Sequence, residues 1–398
     1  MRRGTKIQKL KQALPGIVKD VRHYAKPRVK LHNEGLGDYY TEGYRSLNQR
    51  EWKGVRDTAY DFASWLKVYG YMAVTLGKHP VALTKSFVRY PWMASYLTVA
   101  NMLDRHKLGL RGKQLRYTQE QFYGVVHNSV DVIAKIIERD ENLNSPNNKR
   151  AAKLRAKTVM FDEMTPSIIM AGFPMLDWID IAMSPVCLPG EVDQNANIMY
   201  VDAAERMGLA ADVCPLPSAE VGCAIVDDYP QVGSSFITSS MPCDGSLGAA
   251  LFMDRYMKKL PSFTLTPPQR FNEPETNAYA VKDLKNCIRF IEETYDVKWD
   301  WDAFWKKAEE YNKTTQCMLD KWDVNCTPYP QVIGSALSLQ REYEFQTAAC
   351  LDSFMTKQDE KVTKMMLKGY EEDREADRRD YKYRAIVWCC PAHYYTHF

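Results

Sequence analysis

The feature that most constrains the fold of this chain is a strand, a turn and a helix that follow one another between residues 232 and 253. Phe236–Thr238 predicts the end of a short buried strand, and Leu247–Met253 predicts the apolar face of a helix. Between them, Pro, Asp and Gly are typical of a turn that contains Cys243. Ligands bind outside the carboxyl ends of strands in open α/β sheets. Cys243 is therefore a candidate metal-binding thiolate, and a small buried side chain is the alternative.

Length and composition are those of an ordinary globular protein. The 398 residues, 45% of them apolar, can bury a sizeable core and suffice for two or three domains. The net charge of +3 favours no particular partner. No run of about 20 uncharged apolar residues occurs, and the basic residues 1–30 contain no apolar core segment. We therefore expect a cytoplasmic protein that does not enter membranes.

All ten cysteines lie between Cys187 and Cys390. No histidine lies between His127 and His393, which excludes a compact Cys/His zinc site in the middle of the chain, and no Cys-x-x-Cys pair occurs. Disulfides are not expected in the cytoplasm. A metal cluster would therefore combine cysteines that are far apart in sequence, each at the end of its own element. Three further cysteines fall inside predicted helices, where a thiol is usually part of the core: Cys287, Cys317 and Cys350.

The first 150 residues predict a helical N-terminal extension. Residues 39–140 are rich in aromatic residues, and their apolar spacing of three and four is typical of helices. Residues 1–32 carry ten Lys and Arg against one acid, Asp20. They form either a solvated basic arm or an arm that binds anions or a partner. The polar segment 140–155, with Ser-Pro-Asn-Asn at its centre, predicts a linker and a domain boundary.

After this linker the pattern predicts an α/β domain with a mainly parallel sheet, over residues 151–325. In order, it contains a short apolar run at Ser167–Ala171, a helix at Ile198–Met207, the strand and helix around Cys243, a strand at Ser262–Leu265, and helices at Asn272–Val297 and Trp301–Trp322. A helical connector over 326–382 ends in a charged run, 371–380, that predicts a solvated helix face. The apolar segment 384–388 predicts the first strand of another α/β domain, over 383–398.

Separated sequence blocks carry a resemblance to a known family. They are CDGSLGAALFMDRYMKKLPSFTLTPPQRF, EETYDVKWDWDAFWKKAEEYN, TPYPQVIG and RAIVWCCPAHYYTHF, in that order. They resemble the large subunits of the 2-hydroxyacyl-CoA dehydratase and benzoyl-CoA reductase family, over about Met160 to Phe398. The resemblance implies two Rossmann-like α/β domains in a heterodimer of related subunits. It also implies that each subunit holds a 4Fe-4S cluster by three cysteines and leaves one iron position open.

The resemblance assigns cluster ligands to two cysteines of this chain. Cys214 matches the first cluster cysteine of the family, and Cys243 matches the second. The third family cysteine lies well beyond the RAIVW strand, so the resemblance implies a C-terminally truncated chain that is inactive as a fragment alone. Cys389 and Cys390 align with a Gly/Cys-Pro turn that is not the ligand position.

The resemblance also implies the chemistry. A separate ATP-hydrolysing iron-sulfur activator injects one electron, and a ketyl radical anion of the acyl-CoA substrate then eliminates hydroxide, or else an aromatic ring is reduced. The chain itself has no P-loop pattern, so ATP use is expected of the activator. Arg270, near a strand end, either binds the phosphates of coenzyme A or forms a surface salt bridge. Asp244 and Ser246 are candidates for capping the helix after Cys243, and Cys187 is a candidate pocket-lining residue.

Three functional hypotheses follow. The first is a catalytic or electron-transferring subunit of a 2-hydroxyacyl-CoA dehydratase or of a benzoyl-CoA reductase type of enzyme. The second is a related subunit that has lost its cluster and has a structural role, which the missing third cysteine would allow. The third is a basic, aromatic nucleic-acid-binding protein, although the sequence contains no recognisable binding module for nucleic acid. Iron and sulfide analysis separates the first two, and a salt-dependent gel shift tests the third.

Overall fold

A computed structural model describes residues 54–99, 112–162, 166–182, 185–186, 188–192, 196–240, 244–256, 260–268, 273–332, 336–337, 339–341, 343–344 and 353–379. Of these, residues 75–96 and 129–308 belong to one compact unit and the others to a second. We call the first the α/β unit, because it contains the described sheet, and the second the helical unit. The basic arm, 1–32, and the predicted strand, 384–388, lie outside the described residues. The domain limits predicted from the sequence stay predictions.

Helices precede the first described strand, and strands then alternate with helices along the chain. The N-terminal helices are α1 Gly54–Leu76, α2 Pro80–Arg89, the 3-10 helix Pro91–Thr98, α3 Gly112–Arg139 and α4 Lys149–Arg155. They are followed by β1 Thr158–Phe161, the 3-10 helix Ser167–Gly172, β2 Asp177–Asp180, α5 Leu188–Val192, α6 Ile198–Arg206, α7 Pro215–Ile225, β3 Ser235–Ser239, α8 Asp244–Tyr256 and β4 Ser262–Leu265. The remaining helices are α9 Pro274–Tyr295, α10 Trp301–Asn325 and α11 Ser353–Glu375.

The described sheet is parallel throughout and has the strand order β2-β1-β3-β4. Phe161 of β1 pairs with Asp180 of β2 on one side and with Ile237 of β3 on the other. β1 and β3 are buried along their whole length, as central strands of a parallel sheet should be. The chain passes from β1 to β2 and then returns to the other side of β1 with β3. The strand order therefore reverses between β1 and β3, and ligands bind at the carboxyl ends of strands at such a switch point.

The α/β fold class is confirmed. The structure contains the predicted β3 and β4, the helix α8 after Cys243, and the helices α6, α9 and α10 within a few residues of their predicted limits. The apolar run at Ser167–Ala171 lies within the buried 3-10 helix Ser167–Gly172. The sequence does not predict β1 or β2. β2 begins and ends with Asp, so its sequence lacks the continuous apolar character of a buried strand.

Helices α6 and α7 approach each other so closely that no side chain fits at one point of contact. A Cβ atom on Gly222 of α7 would lie 1.7 Å from the carbonyl oxygen of Tyr200 of α6. Buried Asp228, just after α7, accepts hydrogen bonds from the hydroxyl of Tyr200 and from the guanidinium of Arg89, both at 3.1 Å. Glycine at position 222 therefore permits the packing that this network completes.

The predicted linker, 140–155, contains the helix α4 and the fully buried Asp140. The hydroxyl of Tyr90 donates to one carboxylate oxygen of Asp140 at 2.6 Å, and the backbone N–H of Gln231 donates to the other at 3.0 Å. Burial raises the pKa of Asp140 to about 6, although these hydrogen bonds act to lower it. This carboxyl group fixes the end of α3 to the loop that precedes β3.

The helical unit contains a buried ion cluster. The Nζ atom of Lys321, on α10, lies 2.5 Å from Oδ1 of Asp359 on α11 and 3.6 Å from Oε1 of Glu344. Lys321 and Asp359 have no exposed surface, and the ring of Tyr343 lies 5.3 Å from the ammonium. Burial raises the pKa of both carboxyl groups, and the charge of Lys321 acts against this rise. The cluster therefore joins α10 to α11 through groups that cannot be removed singly without leaving a buried charge unpaired.

Candidate functional site

The carboxyl ends of β1 and β3 are joined by one aspartate. Asp162 follows β1 directly, and its Oδ2 atom accepts the backbone N–H of Ser239, at the end of β3, at 3.1 Å. The backbone N–H of Asp162 donates in turn to the carbonyl of Ile237 at 3.2 Å. Asp162 is buried, so both bonds are shielded from water. The two strands are thus held together at the point where the strand order reverses.

β3 stays aligned with β4 as far as Ser240. The backbone N–H of Ser240 donates to the carbonyl of Leu265 at 2.8 Å, and the Oγ1 atoms of Thr238 and Thr264 are 2.9 Å apart. α8 begins at Asp244, so only residues 241–243 separate the carboxyl end of the sheet from the first turn of this helix. The N-terminus of a helix offers backbone N–H groups and partial positive charge to an anion. The switch point of the sheet therefore adjoins a helix N-terminus, as the sequence predicts.

Cys214 is the N-cap residue of α7 and is exposed. Its side chain makes no capping hydrogen bond. Its carbonyl oxygen accepts the hydroxyl of Ser218 at 2.9 Å and the backbone N–H of that residue at 3.3 Å. α7 contacts α8, the helix that directly follows Cys243 in the chain. The structure thus brings together the two helices that follow the predicted cluster cysteines.

Several predicted site residues lie outside the described residues. Neither Cys243 nor Arg270 is described, and the same holds for the side chains of Asp244 and Ser246. The remaining cysteines in this group are Cys187, Cys350, Cys389 and Cys390. Their assignments stay predictions.

A buried polar layer beneath the switch point is a feature that the sequence did not reveal. The hydroxyl of Tyr229 donates to Oε1 of Glu220, on α7, at 2.9 Å. Burial raises the pKa of Tyr229 well above its usual value, and the negative charges of Glu220, Asp162 and Asp180 raise it further. The ring of Tyr229 packs edge-on against Phe236 of β3, with centroids 6.1 Å apart. The sequence signal for this layer is Asp162, which directly follows the apolar residues Val159–Phe161.

The structure describes two of the cysteines that were predicted to lie inside helices. Their surroundings are typical of structural cysteines and not of metal ligands. Cys287 is fully buried in α9, and burial, followed by the charge of Asp283, raises the pKa of its thiol to about 12. Its thiol therefore stays protonated near neutral pH and is a poor metal ligand. Cys317, in α10, is partly exposed, and burial raises the pKa of its thiol as well. Within the described part of the chain, no group of three or more His, Cys, Asp or Glu side chains is placed to hold a metal ion.

The comparison with protein families supplies the decisive observation. The model of the family described as 2-hydroxyglutaryl-CoA dehydratase, D-component, matches residues 192–397, which is more than half of the 398 residues. The chain belongs to this family. The D-component match contains Cys214 and Cys243 and every described element from α6 to α11. It confirms the resemblance seen in the sequence, and a comparison with curated proteins found no match.

Membership in the D-component family supports the role of a dehydratase subunit, which acts with a partner component. Residues 1–191, which include α1 to α4, the strands β1 and β2 and all of α5 except Val192, lie outside the match. Among the described helices, none has the length and apolar character needed to span a membrane.

Proposed function

We propose that this chain is a subunit of an iron-sulfur 2-hydroxyacyl-CoA dehydratase, which eliminates water from a 2-hydroxyacyl thioester of coenzyme A. The D-component match supports the reaction class. The observation that carries the proposal is the position of Cys214. Its exposed thiol stands at the N-terminus of α7, and α7 contacts the helix that directly follows Cys243.

The donor chemistry fits a 4Fe-4S cluster in part. Cys214 and Cys243 would supply two thiolates, which are the usual ligands of such clusters. A three-cysteine site needs one more ligand besides Cys214 and Cys243. When bound, the cluster would supply low-potential electrons and an iron that acts as a Lewis acid toward a substrate oxygen.

The two helix N-termini differ in what they offer to an anion. α7 begins Pro215-Leu216-Pro217, and prolines have no N–H, so Leu216 carries the one N–H of these three residues. α8 begins Asp244-Gly245-Ser246, and all three residues carry an N–H. The N-terminus of α8 is therefore the better site for negative charge, such as a thiolate or the thioester oxygen as it gains charge. Asp162 acts as a positioning residue, because it fixes the end of the strand that leads into α8.

The partners follow from the same proposal. A related second subunit completes the enzyme, and a separate ATP-hydrolysing iron-sulfur activator supplies the electron. Arg270 would bind the coenzyme A phosphates, for which a guanidinium is well suited. The family description favours dehydration over the ring reduction of a benzoyl-CoA reductase.

Turnover of the assembled enzyme tests this proposal. The complex of the chain with its partner subunit is purified without oxygen and mixed with the activator, ATP and a 2-hydroxyacyl-CoA, and loss of one water from the thioester is followed by mass spectrometry. We expect turnover with the wild type and none with Cys214→Ser. The matched control is Cys326→Ser, which changes another exposed cysteine and should keep activity. Turnover that survives in Cys214→Ser, or a wild-type complex that leaves the thioester unchanged, would contradict the proposal.

A further inference from the structure

One face of α11 carries a row of lysines. Lys357, Lys361, Lys364 and Lys368 are all exposed and recur at intervals of four, three and four residues. Because an α-helix has about 3.6 residues per turn, these intervals place the four side chains along one stripe. The opposite face of α11 is buried and includes the following residues: Met355, Gln358, Asp359, Val362, Thr363 and Met366.

The same stripe continues into an acidic end. Glu372 follows Lys368 by four residues and Glu375 follows it by seven, so both lie on the lysine face. Both glutamates are exposed. The stripe therefore runs from four positive side chains to two negative ones along a single helix face. We call it the α11 stripe.

The ion pairs that these side chains form within the described residues do not neutralise every charge of the stripe. Nζ of Lys361 lies 2.7 Å from Oε2 of Glu120, Nζ of Lys364 lies 4.0 Å from Oε2 of Glu360, and Glu372 lies 3.9 Å from Lys113. Within the described part of the chain, neither Lys368 nor Glu375 has an ion pair. The positive and the negative part of the stripe thus each keep at least one side chain that has no ion pair within the described residues.

We propose that the α11 stripe binds the same stripe of a second copy of this chain, with the two helices antiparallel. If a two-fold axis passes near Tyr370, Lys368 of each copy faces Glu372 of the other, and Lys364 faces Glu375. Symmetry repeats each contact, so one surface serves both copies. An acidic protein or a nucleic acid would use only the lysine part, whereas a second copy also uses the glutamates.

The surface around the lysines is open to a second copy. A shallow groove of about 450 Å³ is lined by Glu360, Met365 and the four lysines of the stripe. Met365 gives it an apolar floor, and the lysine stems can cover more apolar surface while their ammonium groups stay in water. Lys361 and Arg379 approach each other in this arrangement, but each is already paired, with Glu120 at 2.7 Å and Asp377 at 2.8 Å.

The expected association is weak and depends on salt. Exposed ion pairs are individually weak, so the four contacts across the axis should give a dissociation constant of about 1 mM at best. Screening shortens the range of these interactions from about 10 Å at 0.1 M salt to about 3 Å at 1 M. The dimer should therefore form at low ionic strength and dissociate as salt rises.

Sedimentation velocity of the full chain tests the proposal through charge reversal. Variant A is Lys364→Glu/Lys368→Glu, which makes the stripe more acidic, and variant B is Glu372→Lys/Glu375→Lys, which makes it basic throughout. At about 50 mM salt and up to about 1 mM protein, we expect the wild type to form a measurable fraction of dimer. Each variant alone should stay monomeric, because like charges then face each other. An equimolar mixture of A and B should form a heterodimer, since an acidic stripe then meets a basic one.

A control with the same charge change is Lys282→Glu/Lys285→Glu on α9, where both lysines are exposed and lie outside the stripe. This variant should dimerise like the wild type. Circular dichroism verifies that A and B are folded. A monomeric wild type at low salt, dimers of A or B alone, or an A and B mixture that stays monomeric would each overturn the proposal. Binding of nucleic acid to B without dimerisation of the wild type would do so as well.

Discussion

Oδ2 of Asp162 accepts the backbone N–H of Ser239 at 3.1 Å and thereby joins the ends of two parallel strands that are 77 residues apart in sequence. The bond lies at the switch point of the sheet, and only residues 240–243 separate Ser239 from the start of α8. The geometry of the candidate site therefore depends on a residue that does not itself belong to the predicted cluster ligands.

Asp162→Ala should destabilise the α/β unit by about 1 to 3 kcal/mol, because it leaves the buried N–H of Ser239 without an acceptor. Asp162→Asn keeps an oxygen at this position and should cost less. Asp212→Ala, in an exposed turn, is the control and should change the free energy of unfolding little. Urea unfolding measures all three. An Asn variant that is as unstable as the Ala variant would contradict the role given to this acceptor.

Gly222→Ala should be strongly destabilising, since the new Cβ would lie 1.7 Å from the carbonyl oxygen of Tyr200. Overpacking of this kind costs about 1 to 3 kcal/mol and more where backbone must move. Gly70→Ala is the matched change, because Gly70 lies within α1 and a Cβ there meets nothing within 4 Å. It should instead stabilise the protein by about 0.5 to 1 kcal/mol. Equal effects of the two substitutions in thermal or urea unfolding would be inconsistent with this packing.

Because of Asp140, the free energy of unfolding should fall as the pH rises from about 4 to about 6. Its pKa is raised from 3.8 to about 6 in the folded protein, so over this window the folded state holds a proton that the unfolded state has lost. The stabilisation is full below pH 3.8 and is lost as pH rises through about 6, by roughly 3 kcal/mol. Asp140→Asn should flatten this part of the pH profile in urea unfolding. Tyr90→Phe removes a hydrogen bond that lowers the pKa, so the fall should move to higher pH. An unchanged profile in both variants would refute this assignment.

Lys321→Ala should cost about 3 to 5 kcal/mol, because it leaves buried Asp359 without its cation. Lys313→Ala, on the same helix but exposed, should cost less than about 1 kcal/mol. A loss of similar size for the two lysines in urea unfolding would show that the ion cluster does not stabilise the helical unit.

The sequence predicts those elements that are determined by residues close to one another in the chain. β3 and β4 contain β-favouring apolar residues beside Pro or Gly. α9 begins at Pro274 and ends at Tyr295, and the φ of its C-cap residue, Asp296, is 51°. β1 and β2 were missed because each has only four residues, and β2 has an aspartate at both ends.

The candidate site was predictable only in part for a similar reason. Cys214 and Cys243 could be singled out from their place before helices and from the family resemblance. The roles of Asp162 and Glu220 arise from contacts through space, with Ser239 and Tyr229, which no spacing in the sequence indicates. The sequence predicts a polar linker that begins at Asp140, whereas the buried position of Asp140 depends on Tyr90, 50 residues earlier.

Iron and sulfide content of the anaerobically purified complex tests the central claim most directly. The wild type and the control Cys326→Ser should contain the same amount of iron and sulfide and show the broad visible absorption of an iron-sulfur cluster. Cys214→Ser and Cys243→Ser should each lose the share of iron that this chain holds, because a serine hydroxyl is a poor ligand for the cluster. Iron that stays at the wild-type level in both Cys→Ser site variants, or that is lost in Cys326→Ser alone, would contradict the assignment of Cys214 and Cys243 as cluster ligands.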